Sequence, residues 1–159
     1  MPAPRHDNPV VLFDGVCNFC NASVARMIRR DAEGRLRFAS LQSEAAKQLL
    51  AASGVPDTYF DSVVLIDDEG VHTHSDAAIR IGRYMGFPWS MGGAARVLPK
   101  AWRDRVYTWI GARRYRWFGK RETCMIPTPE QASRFLDASE HHAAAPAADE
   151  ASPRHGSPA

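Results

Sequence analysis

The sequence has no apolar run that approaches the length of a membrane span. Its first nine residues lack the apolar stretch of a secretory signal. Cysteine is scarce: Cys17, Cys20 and Cys124 make three, an odd number and too few for a disulfide framework. The net charge is only +2, so no global field calls for nucleic acid as a partner. Residues 139–159 contain no Val, Ile, Leu, Met or aromatic residue, and such a segment buries too little surface to order itself. No internal repeat is found. These absences argue against a spanning protein, a disulfide-stapled secreted domain and a repeat array. They lead to the expectation of a cytoplasmic chain with no cofactor, and with neither a membrane nor nucleic acid as partner.

Hydrophobic residues make up 45% of the 159, enough for one compact domain with a real core. The expected organisation is a disordered start over residues 1–8, one domain over 9–138 and a disordered tail over 139–159. Residues 10–13 are a short apolar run followed by the turn signal Asp14-Gly15, and read as a buried strand. From Cys17 to Arg30 the pattern is helical, with Cys20, Val24, Met27 and Ile28 on one face. Residues 36–41 read as a second strand. Ser43 caps a helix to about Ala52, with Gly54 beyond its end. Residues 63–66 and 71–74 form a hairpin around Gly70, and Ser75 caps a helix to about Met85.

The expected order is therefore β-α-β-α-β-β-α, an α/β fold with a mixed sheet. A helical extension follows over 87–138. Within it Trp102, Val106, Trp109 and Ile110 form a stripe expected to pack on the core. Thr128-Pro129-Glu130-Gln131 has the form of a capped helix start, for a helix ending near Ala138. From Arg96 to Arg121 there are nine Lys or Arg residues and one acid, Asp104. That run reads as a solvated helix face ending at Gly119.

The chemistry-bearing motif is Cys17-Asn18-Phe19-Cys20. Two cysteines three apart at a helix start place both sulfurs beside the first turn. The first meets unpaired backbone N–H groups and the positive end of the helix dipole. Both features favour thiolate, the nucleophilic form. Helical phase puts Cys20 on the apolar stripe, so Cys17 is expected to be exposed and attacking, and Cys20 less exposed and resolving. A Cys-x-x-Cys pair between a buried strand and a helix points to thiol–disulfide exchange.

Asp14-Gly15-Val16-Cys17-Asn18-Phe19-Cys20 resembles the Asp-x-x-Cys-x-x-Cys signature of the DCC family of predicted thiol–disulfide oxidoreductases. The resemblance continues through Arg37-Phe38-Ala39, Leu41-Gln42-Ser43, Asp61-Ser62-Val63-Val64-Leu65 and Ser75-Asp76-Ala77-Ala78. It then takes in Tyr115-Arg116-Trp117-Phe118-Gly119, Cys124 and Pro127. It implies a thioredoxin-like fold, with Asp14, Cys17 and Cys20 as the site. Thioredoxins and glutaredoxins carry a cis-proline just before the third strand. Here Phe60-Asp61-Ser62 holds that place, so the substrate-docking backbone is expected to be built differently.

Asp14 is a candidate proton acceptor for Cys20, or only an Asx-turn residue. Ser75 and Asp76 are candidate substrate-binding residues, with helix capping as the simpler role. Cys124 is a candidate auxiliary thiol or an ordinary buried cysteine. The expected partner is a disulfide-containing protein or a low-molecular-weight thiol, together with an electron donor that no motif names. Three rivals are weighed. A zinc module would join Cys17 and Cys20 to His72, His74 or Cys124. A haloacid dehalogenase-type phosphatase would need an Asp where Leu12 stands. A redox-inert interaction domain would leave the intact Cys pair without a purpose.

Overall fold

A computed structural model of the chain describes residues 8–56, 62–122 and 127–139. Cys124, Phe60 and Asp61 lie outside the described residues. The elements run β1 (Val10–Phe13), α1 (Asn18–Arg30), β2 (Arg37–Ser40), α2 (Glu44–Ala52), β3 (Val64–Asp67), β4 (Gly70–Thr73) and α3 (His74–Tyr84). A 3-10 segment (Trp89–Val97), α4 (Lys100–Phe118) and a 3-10 turn (Ala132–Arg134) follow. The sheet order is β2-β1-β3-β4. β1 and β2 pair in parallel across the α1 crossover, while β3 runs antiparallel to both β1 and β4. This is the expected α/β order, and it is consistent with a thioredoxin-like fold.

The central strand explains its own sequence. Val11 and Phe13 face a cluster with Val24 of α1 and Ala77 and Ile81 of α3. Val10 and Leu12 face the opposite cluster with Ala46 and Leu50 of α2. Alternate residues therefore meet helices on both sides, and the strand must be apolar throughout. Burying one such side chain contributes about 1.5–3 kcal/mol. On α1, Cys20, Met27 and Ile28 pack against the cluster that holds Val24, as the helical phase predicts. Ser43 caps α2 as expected, its Oγ accepting from Ala46 N at 3.2 Å.

Three expectations are corrected. Ser75 does not cap α3. The cap position is Thr73, which makes no side-chain cap bond. Ser75 lies inside the helix and donates through Oγ to Asp104 Oδ1 at 2.5 Å. The helix expected after Thr128 is a single 3-10 turn. Gln131 Oε1 does accept from Thr128 N at 3.4 Å, so half of the capping box forms. Phe135 then leaves the helical path for β2, the sheet's edge strand, where it bridges Phe38. Leu136 N donates to Phe38 O at 2.9 Å, and Asp137 Oδ2 accepts from Ser40 N at 2.8 Å. An unpaired edge offers these backbone bonds, and they compete with another helical turn.

The third correction concerns α4. Its stripe of Trp102, Val106, Trp109 and Ile110 faces outward. The inward side is polar: Arg103 pairs with Asp76 at 2.9 Å, Tyr107 Oη accepts from Val63 N at 3.3 Å, and Arg114 pairs with Asp14 at 3.1 Å. Directed polar ties to specific partners therefore fix the orientation of this helix.

Candidate active site

The site stands at the carboxyl end of β1. Asp14 opens the loop, and its Oδ1 accepts from Val16 N at 3.2 Å, the Asx-turn bond. Cys17 N donates to Asp14 O at 3.3 Å, and Asn21 Nδ2 donates to Gly15 O at 2.9 Å. These bonds set Cys17 at the N-cap of α1, with extended backbone and no side-chain cap bond. No side-chain cap thus competes with the sulfur at the positive end of α1.

The two cysteines are neighbours and are not joined in a disulfide. Burial first, then the charge of Cys17 and hydrogen bonding to it, push the Cys20 thiol up to about 12. Arg114 pulls in the other direction and Asp14 adds a smaller upward push. Cys20 is thereby held protonated beside its partner.

The exposure expected of the pair is reversed. Cys17 is 0% exposed, whereas Cys20 is half-buried. The reason is a strap, residues 118–121, that crosses the motif. Cys17 forms an isolated antiparallel bridge with Lys120. Arg121 N donates to Val16 O at 2.7 Å, Asn18 N to Gly119 O at 3.5 Å and Asn18 Nδ2 to Phe118 O at 2.9 Å. Phe19 and Phe118 stack beside it, with centroids 4.9 Å apart. Helical phase describes one helix alone, and this cover comes from a hundred residues further along.

Asp14 is the hub of a buried polar network. Gln42 Nε2 donates to Oδ1 at 2.8 Å, and Gln42 Oε1 accepts from Gly15 N at 3.0 Å. On Oδ2, Arg114 Nη2 donates at 3.1 Å and the Tyr115 hydroxyl also donates. Burial opposes the Arg114 charge, but its bond with the Tyr115 oxygen and the negative field of Asp14 help to outweigh it, and its pKa is driven further up. Tyr115 is raised as well, by burial and then by its bond to Asp14, against the pull of Arg114. An open cleft of about 740 Å³ lies beside this network, lined by Asp14, Val16, Gln42, Tyr115, Lys120, Arg121 and Glu122.

The structure thus brings Asp14, Cys17 and Cys20 together. Ser75 and Asp76 lie elsewhere, tying α3 to α4: Arg103 Nη1 reaches both, and Lys100 reaches Asp76 at 3.2 Å. His72 bonds Asp67 at 3.0 Å, and His74 bonds Thr73 Oγ1 at 3.1 Å. The described residues contain no group of three or more His, Cys, Asp or Glu side chains placed to hold a metal ion. At the place where thioredoxins and glutaredoxins carry a cis-proline, buried Ser62 accepts from His74 N at 3.2 Å through Oγ.

Arg114 escaped sequence reasoning. It is one of nine similar cations between Arg96 and Arg121. Its only signal is helical phase, which places Arg103, Tyr107 and Arg114 on one side of α4.

A thiol pair at a helix start, on an α/β frame consistent with a thioredoxin-like fold, suits the class of thiol–disulfide oxidoreductases. The model of the DCC1-like thiol-disulfide oxidoreductase family matches residues 11–120, and the chain belongs to that family. It is 46% identical to uncharacterized protein YuxK of Bacillus subtilis (strain 168) over 136 residues, which is 86% of this chain and 99% of that protein. It is 36% identical to DCC family protein At1g52590, chloroplastic, of Arabidopsis thaliana over 119 residues, 74% of this chain and 69% of that protein. No solved structure matches the chain.

Proposed function

We propose that the chain reduces disulfides by thiol–disulfide exchange, with Cys17 attacking and Cys20 resolving. The observation that carries this reading is the placement of the pair, Cys17 at the N-cap of α1 and Cys20 in its first turn, beside the buried Asp14–Arg114 ion pair. In the first step the Cys17 thiolate attacks one sulfur of the substrate disulfide. The substrate S–S bond breaks, its other sulfur leaves as thiolate and takes a proton, and a Cys17–substrate disulfide forms.

The second step is prepared by the first. Bonded to substrate, Cys17 has no charge and no longer accepts as a thiolate, so two of the influences that raise Cys20 vanish. Burial and the smaller push of Asp14 remain, opposed by the cation of Arg114. Cys20 loses its proton toward the Asp14 network and attacks the Cys17 sulfur. The substrate leaves as thiol, and a Cys17–Cys20 disulfide remains. A dithiol or two thiol equivalents from an external donor restore the pair. The substrate class is a disulfide-containing protein or a low-molecular-weight disulfide.

A Cys20→Ser variant tests this. It is expected to accumulate substrate as a mixed disulfide on Cys17, seen as a mass increase that dithiothreitol removes. A Cys17→Ser variant forms none. An unreactive Cys17 with no disulfide-linked partner in Cys20→Ser would sink the mechanism.

A further inference from the structure

Helix α4 is amphipathic in the inverted sense. Its inner side carries Arg103, Tyr107 and Arg114. Its outer side carries Trp102, Val106, Trp109, Ile110 and Trp117, with Trp102 70% and both Trp109 and Trp117 51% exposed. The outer side is also cationic. Arg105 and Arg116 are exposed along one border, and Arg113 lies over the Trp109 ring at 4.1 Å. Trp109 and Trp117 meet edge to face at 5.6 Å. The single acid of the helix, Asp104, is turned to Ser75 and Lys100. Neither Arg105 nor Arg116 has an acidic partner among the described residues. Neither of the two described clefts is lined by any residue of this stripe.

An outward apolar stripe of this length costs solvation free energy unless something covers it. The charge pattern selects the cover. A second copy would bring the same arginines face to face with no acid to meet them. A protein ligand buried in a groove does not suit the open flank of a 19-residue helix. A lipid surface suits both features. Trp and Arg are the side chains of the membrane interface, and anionic headgroups complement the border cations.

We propose that the outer face of α4 docks the protein on an anionic lipid surface, with the three tryptophans at the headgroup boundary. Such docking needs no spanning segment. Among the described residues no helix is long and apolar enough to cross a membrane, and α4 lies along the surface. The expectation of no membrane partner drawn from the sequence rests on spans alone, and this face concerns adsorption.

The test is co-sedimentation of the full chain with vesicles of phosphatidylcholine alone and of phosphatidylcholine with one quarter phosphatidylglycerol. Binding to the anionic vesicles is expected, with a blue shift of tryptophan emission and weakening at high salt. Arg105→Gln and Arg116→Gln each weaken it about fivefold. The pair Trp102→Ser and Trp109→Ser weakens it about tenfold or more, with the unfolding midpoint and disulfide exchange of the soluble protein unchanged. Absence of binding to anionic vesicles overturns the proposal, as does binding that these variants leave intact. A doubled mass in solution that Trp102→Ser returns to one chain, without vesicle binding, assigns the face to a second copy. Saturable binding of a polyglutamate peptide without vesicle binding assigns it to an acidic protein. The vesicle, mass and peptide readouts do not depend on Cys17 or Cys20, so the exchange mechanism stands or falls separately.

Discussion

At the scale of single residues, Asp14 and Arg114 depend on each other. Both are buried, and each balances the other's charge. Removing one partner of a buried pair leaves a stranded charge, at a cost of roughly 3–5 kcal/mol. Arg114→Leu is expected to lower the urea unfolding free energy by about that amount. Adding Asp14→Leu should restore part of the loss, because the stranded carboxylate is then gone. Asp14→Asn keeps the shape and removes the charge. It should slow conversion of the mixed disulfide and shift the pH profile of that step, while leaving the first attack unchanged. Stopped-flow kinetics that match the parent at every pH would reject a role for Asp14 in resolution. Of this network the sequence displays only Asp14, through its place before the Cys pair. Arg114 is hidden because partners a hundred residues apart leave no local pattern.

At the scale of elements, α3 is fastened to α4 by Asp104 and Asp76. Burial opposes ionisation of Asp104, but bonds from Lys100 and Ser75 outweigh it and lower its pKa from 3.8 to about 2. Asp76 is lowered too, chiefly by its bond from Arg103. A carboxylate depressed in the folded state adds stability above its unfolded pKa, and loses it as pH falls through the folded value. The fastening should therefore be intact above pH 4 and fade toward pH 2. Asp104→Asn is expected to be less stable than the parent at pH 7, with the two urea midpoints converging near pH 2. Elements set by local rules were legible: β1 from its apolar run, α1 from its phase and α2 from its Ser43 cap. The facing of α4 and the path of Phe135 were not. The first follows from distant polar partners, and the second from an open edge of β2 that no local pattern announces.

At the scale of the whole molecule, the chain returns after α4 to cover its own N-terminal motif. Gly119 makes the turn, with φ 77° and ψ 173°, a region that glycine alone occupies comfortably. A Cβ there would also stand 3.2 Å from Asn18 Nδ2. Gly119→Ala should therefore loosen the strap by about 1–3 kcal/mol. The rate of Cys17 alkylation by iodoacetamide in the folded protein is expected to rise at least about fivefold. An unchanged rate would mean that the strap is not what shields this sulfur.

That roof over Cys17 bears on the protein's durability. A thiolate open to solvent is readily driven by peroxide to sulfenic and then sulfinic acid, the latter beyond ordinary thiol repair. A sulfur with no exposed surface meets oxidant only when residues 118–121 lift away. If Cys17 attacks as proposed, the same lifting admits the disulfide substrate, and one motion then sets both working rate and lifespan: a looser roof gives faster turnover and earlier inactivation, and a tighter one the reverse.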